Sequence, residues 1–173
     1  LGGYSGLGNP SSFHNPFIRD LRLKVMKHIV PVFSDYVAQL PTPDEWNVEQ
    51  IAHRLMYRQK GMSASKESWH RDETPNAKLS DKTFGGWWNL DDTPQYFSCV
   101  PGTHKGVRGH SGFAGIKDKT EKAQYNSAKK KVEIPPGHIL LFYEHIVHEV
   151  LSTKAKADQH RLFLGWRVTK END

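Results

Sequence analysis

One cysteine, Cys99, is all that the sequence contains, so no disulfide can form within the chain and no multi-cysteine zinc site can be built. That scarcity suits a reducing, intracellular compartment such as the cytoplasm. Beside Phe97 and Val100 the thiol reads as a small buried hydrophobe rather than a nucleophile. Long apolar runs are missing as well. The three stretches that stand out are Ile29–Phe33, Ile134–Tyr143 and Arg161–Val168. All fall short of the roughly 20 residues that a spanning helix needs, so no membrane partner is expected. The opening residues, Leu1-Gly-Gly-Tyr-Ser-Gly6, carry neither an initiator Met nor a charged-then-apolar signal pattern. This is expected of a chain that begins inside a longer precursor.

Concentrated charge is also lacking. The formal charge is +5 and the pI about 9.3, but the lysines are scattered. The one basic run, Lys129-Lys130-Lys131, precedes a predicted strand and reads as a solvated loop. An anionic substrate would account for part of the excess. What is present is enough for one domain with a real core: 173 residues, 36% hydrophobic, mean hydropathy −0.68.

Residues 1–16, rich in Gly, Ser, Asn and Pro, read as an irregular N-terminal arm, and residues 17–173 as a single domain. From Pro16 to Gln39, Phe17, Leu21, Val25, Ile29 and Phe33 recur at helical spacing, with Asn15 as the cap. Pro31 is expected to kink or end that helix, with a second short helix over Val32–Leu40. Beyond the break at Pro41-Thr-Pro43 the texture turns to strands and tight turns, forming a β core over about 50–168. Arg54-Leu-Met-Tyr-Arg58 alternates, which favours a strand over Glu49–Gln59. Further strands are expected at Glu67–Asp72, Phe84–Leu90, Tyr96–Val100, Lys131–Ile134, Ile139–Tyr143, His148–Leu151 and Arg161–Val168. Helices followed by about eight short strands imply a mainly β fold, a sandwich or jelly-roll barrel with N-terminal helices.

Trp69-His70-Arg71-Asp72 carries the chemistry. On a strand, positions i and i+2 share a face, so His70 and Asp72 can reach one ion. A third ligand must come from elsewhere, and His145 and His148, beyond the strand Ile139–Tyr143, are the candidates. Two histidines and one carboxylate leave coordination positions open, a donor set that suits Fe(II) with a cosubstrate and O₂. Alone, an HxD pair among ten histidines is a weak signal.

Its surroundings strengthen it. Trp69-His-Arg-Asp-Glu73, Trp87-Trp88-Asn-Leu-Asp-Asp92, Val100-Pro-Gly-Thr-His-Lys-Gly106 and Pro136-Gly-His-Ile-Leu-Leu-Phe142 occur in that order, with His148 and Arg161 downstream. Together they resemble the phytanoyl-CoA dioxygenase family over about residues 50–168. The resemblance implies a double-stranded β-helix (jelly-roll, cupin-like) and an Fe(II)- and 2-oxoglutarate-dependent dioxygenase consuming O₂. It implies His70, Asp72 and His148 as iron ligands, with His148 preferred to His145 on its distance from Gly137. Arg161 would hold the distal carboxylate of 2-oxoglutarate, with Trp88 and Tyr57 beside the cosubstrate. Arg58, Lys66 and His104 are the substrate-contact candidates. The carboxylate at Asp72 implies hydroxylation rather than halogenation, since halogenating relatives have a small residue there.

The substrate is expected to be a small molecule. Two other readings stay open: a non-catalytic jelly-roll that binds a ligand, and an oxygenase acting on nucleic acids or nucleosides. The latter predicts a clustered basic groove with exposed aromatics, whereas Trp69, Trp87, Trp88 and Trp166 fall within strands.

Overall fold

The computed structural model describes residues 5–6, 16–63, 68–72, 82–105, 114–151 and 154–170, with backbone alone at 5, 6, 52 and 53. A helix α1 (Pro16–Val37) follows a two-residue strand β1 (Ser5–Gly6). A 3₁₀ turn (Pro43–Glu45) then leads into β2 (Trp46–Arg58), β3 (His70–Arg71), β4 (Lys82–Asn89), β5 (Gln95–Val100) and β6 (Ala114–Gly115). Next come α2 (Lys119–Ala128), β7 (Lys130–Ile134), β8 (Ile139–Tyr143), β9 (Val147–Glu149) and β10 (Gln159–Lys170). The strands form two five-stranded sheets, in the orders β1-β2-β10-β4-β8 and β6-β3-β9-β5-β7, and the paired strands are antiparallel.

The two faces of the first sheet do different work. Along β10, Leu162, Leu164, Trp166 and Val168 are fully buried and pack with Phe84 against Val25, Ile29 and Phe33 of α1. Those three helix residues recur every four positions and so form one stripe. Phe33 meets the rings of Phe84 at 5.2 Å and Trp166 at 5.6 Å. The intervening residues of β10, Arg161 and Phe163, point to the opposite face, towards the second sheet. Between the sheets lie Trp87, Phe97, Cys99, Ile134 and Phe142. Outside the second sheet, Trp69, Val100 and Val147 pack beneath Tyr125 of α2.

Two expectations are corrected. Pro31 lies inside one continuous helix, Pro16–Val37, rather than ending it. The missing N–H falls on an exposed stretch, while Ile29 and Phe33 on either side are held in the core. Helix α2 was not anticipated, although its start is marked in the sequence: Asp118 caps it by accepting the Glu121 N–H at 2.7 Å.

Candidate metal centre

The site begins with one register. β3 and β9 pair with His70 directly opposite His148, and opposed residues in a strand pair share a face. Their rings lie 4.2 Å apart, centroid to centroid. Asp72 follows just past the end of β3, on the face of His70, and its N–H donates to the Glu144 carbonyl at 2.9 Å. The intervening Arg71 serves the scaffold instead. Its guanidinium donates to the carbonyls of Thr103, at 2.6 Å, and His145. Thr103 Oγ1 in turn accepts from the Val147 N–H at 2.9 Å. The turn that delivers His148 is thereby tied to the strand that carries His70.

Both imidazoles are set the same way. His70 Nδ1 lies 2.8 Å from the Ser68 carbonyl and His148 Nδ1 2.9 Å from the Ile146 carbonyl. An Nδ1–H donating to a carbonyl leaves Nε2 as the lone-pair nitrogen that a metal needs. The two Nε2 atoms face the Asp72 carboxylate, at 3.8 Å from Oδ1 and 3.3 Å from Oδ2. One donor atom from each of the three residues lies within 4.8 Å of the others. Burial opposes the charge on Asp72. The His148 hydrogen bond and the positive fields of His148, His70 and Arg54 outweigh it and hold the carboxyl below its ordinary value. Phe97 and Phe142 flank the His148 ring at 5.4 and 5.2 Å. Phe142 fits there because Gly85 lies opposite it: a Cβ at that position would come within 2.9 Å of the Phe142 ring.

These groups open into a cavity of about 900 Å³. One wall is the inner face of β2 and β10. Arg54 pairs across the strands with Phe163, Met56 with Arg161, and Arg58 with Gln159. Arg161 stacks over the Trp87 ring at 4.5 Å, and Arg54 over Phe163 at 5.0 Å. The 154–157 segment forms part of the rim. It is fastened by Gly61 N–H to Ala155 O (2.8 Å) and Ala155 N–H to Met62 O (3.0 Å).

Of the residues singled out from the sequence, His70, Asp72, His148, Arg161 and Arg58 are brought together around this cavity. Trp88 and Tyr57 are not. Strand alternation turns Trp88 to the α1 side, where its Nε1–H donates to the Gly137 carbonyl at 3.0 Å, and it is Trp87 that faces the cavity. Tyr57 likewise falls on the far face of β2, its ring 5.1 Å from that of His160. Burial and the neighbouring Asp158 carboxylate raise its phenol above the usual value. His104 stacks on Tyr143 at 4.7 Å and does not line the cavity. Lys66 lies outside the described residues. Sequence reasoning passed over Arg54, although the alternation of Arg54-Leu-Met-Tyr-Arg58 already put it on one face with Arg58.

Residues 11–156 match the family described as phytanoyl-CoA dioxygenase (PhyH). The chain belongs to this family. No curated protein matches it. Among solved structures, this phytanoyl-CoA dioxygenase family chain is similar to EvdO2 from Micromonospora carbonacea var. aurantiaca complexed with 2-oxoglutarate. Identity is 12% and the TM-score 0.63, over 99% of this chain and 70% of that one. It is also similar to EctD from S. alaskensis with 2-oxoglutarate and 5-hydroxyectoine, at 17% identity and TM-score 0.52, over 69% and 44% of the two chains. A third similar structure is SnoK, a non-haem α-ketoglutarate-dependent carbocyclase from nogalamycin biosynthesis, at 16% and 0.51, over 71% and 52%. These likenesses show the fold, a jelly-roll shared across the family. The chain spans about half the length of EctD and SnoK.

Proposed function

We propose that the chain is a non-haem Fe(II), 2-oxoglutarate-dependent dioxygenase that hydroxylates a small molecule. The observation that carries this reading is the donor set. Two Nε2 atoms and a carboxylate converge within 4.8 Å, and both Nδ1 atoms are fixed on carbonyls, inside a cavity whose wall bears Arg161. His70, Asp72 and His148 fit a 2-His-1-carboxylate iron site, and three ligands leave positions open for a cosubstrate. When bound, Fe(II) would supply the O₂ chemistry that couples oxidative decarboxylation of 2-oxoglutarate, to succinate and CO₂, with hydroxylation of the substrate.

The chain's own residues bind and orient. Arg161 offers two parallel N–H donors to the distal carboxylate of 2-oxoglutarate, and stacking over Trp87 keeps that fork in plane. Phe97, Phe142 and Trp87 give the cavity apolar walls that exclude water around the reacting carbon. Asp72, as a carboxylate, would contribute one negative charge to the ion.

The test is succinate formation from 2-oxoglutarate by anaerobically Fe(II)-loaded protein on adding O₂. Wild type should turn over slowly without added substrate. His70→Ala should abolish turnover, and Arg161→Ala should raise the 2-oxoglutarate concentration needed. Wild-type protein that binds neither Fe(II) nor 2-oxoglutarate would instead be a ligand-binding jelly-roll without catalysis.

A further inference from the structure

We infer that the primary substrate is a small organic anion, presenting a carboxylate or phosphate group to Arg54 at the mouth of the metal cavity. The inference rests on the oxygenase reading and adds the substrate's chemical class.

Three guanidiniums stand on one wall. Arg54, Arg58 and Arg161 all face the cavity from the β2–β10 pair. At about 3.3 Å per residue, Arg54 and Arg58 lie roughly 13 Å apart along β2. Depth separates them too. Arg58 is 6% exposed, Arg161 half-buried, and Arg54 exposed. Arg161, opposite Met56, lies between Arg54 and Arg58 in the register, and one guanidinium is enough for the distal carboxylate of 2-oxoglutarate. Arg54 is exposed at the open end of the same wall.

Charge balance points the same way. An Fe(II) ion, the Asp72 carboxylate, a 2-oxoglutarate dianion and the Arg161 guanidinium together are neutral. Arg54 and Arg58 are additional, as are Lys154 and Lys156 on the rim. The other described acid lining the cavity is Glu149, already engaged by Lys129 at 3.1 Å and Ser98 at 2.9 Å. Among the described residues, the loaded cavity therefore keeps a net positive charge that concentrates anions. Arg54 is preset to receive one: the Phe163 ring, 5.0 Å away, holds the face of the guanidinium and leaves its N–H edge for a carboxylate or phosphate. Met56, Phe163 and Phe97 give the remainder of such a molecule an apolar surface.

The experiment is an anaerobic titration of Fe(II)-loaded protein with saturating 2-oxoglutarate, followed by tryptophan fluorescence. Hexanoate, hexyl phosphate and the neutral hexanamide serve as probes. At least one anion should bind, hexanamide should not, and whichever anion binds names the headgroup. Arg54→Gln should weaken that binding roughly ten- to a hundredfold, Arg54→Lys by less, and 2-oxoglutarate affinity should stay within about twofold. Equal binding of the amide, no binding of either anion, or wild-type anion affinity in Arg54→Gln would overturn the inference. So would a loss in Arg54→Gln confined to 2-oxoglutarate, which would make Arg54 a cosubstrate residue. Titrating the Fe(II)-loaded protein with 2-oxoglutarate alone, beside the anion titration, separates the two readings. Anion binding retained without any 2-oxoglutarate binding overturns the oxygenase and keeps the Arg54 site, whereas the reverse overturns the Arg54 site alone. Unchanged thermal melting of Arg54→Gln shows that the fold is intact.

Discussion

Asp72 does two jobs that a titration can separate. In the metal-free protein its carboxyl is held below the ordinary value of 3.8. It therefore adds stability above that pH, and the contribution disappears as the pH falls through the lower, folded-state value. At mildly acidic pH Asp72 remains ionised, whereas a metal must compete with protons for any histidine ligand. Calorimetric titration with Co(II), a redox-stable stand-in for Fe(II), should give weaker binding at pH 5.5 than at pH 7.5. Asp72→Ala should bind weakly at both, and equal affinity at the two pH values would contradict a histidine-ligated site. Cys99 makes the opposite case. Burial at 5% exposure pushes its thiol up, with Lys130 opposing only in part. Thiol-reactive dye should label the native protein slowly at pH 8 and label it rapidly only once urea unfolds the chain. Residue type and spacing singled out His70 and Asp72 with His145 or His148, and the family resemblance chose His148. The closure of the three around one point was not legible, because it depends on β3 and β9 meeting in a particular register.

Among the elements, β4 carries two glycines with no room for a side chain. A Cβ on Gly86 would lie 2.1 Å from the Leu140 carbonyl oxygen, so Gly86→Ala forces two strands apart. A loss of about 1–3 kcal/mol is expected from overpacking, measurable as a lower urea midpoint. Gly85→Ala should perturb the Phe142 ring and weaken metal binding more than it weakens the fold. At α2, Asp118→Ala removes the cap on the Glu121 N–H and should cost about 1 kcal/mol. These two elements also mark where the sequence could and could not be read. The Asp118-Lys-Thr-Glu121 start was an available signal for α2 that a search for strands passed over. Trp87 and Trp88 could not be told apart in advance. Adjacent strand residues face opposite ways, and which of the two faces inward is settled only by pairing with β8 and β10.

At the scale of the molecule, α1 and the first sheet form one half of the core, and the space between the sheets forms the site. The apolar periodicity that predicted α1 survives Pro31, because the packing of Ile29 and Phe33 against the sheet outweighs one missing hydrogen bond. Phe33→Ala should cost about 3–5 kcal/mol by opening a cavity beside Phe84 and Trp166, seen as a lower melting temperature with metal affinity retained. A parallel loss of metal affinity would mean that the two halves are more tightly coupled than the layering implies.

Strand β10 belongs to both halves at once. Its even-numbered residues from Leu162 to Val168 are sealed under the helix, while Arg161 and Phe163 form cavity wall. A saturation scan along this strand would therefore give a two-beat phenotype. One residue would tolerate little because the protein stops folding, and the next would accept new side chains and alter what the cavity admits. Phe163 is thus the position on this strand at which the cavity can be retuned to a different ligand while the buried side and the Arg161 guanidinium are kept.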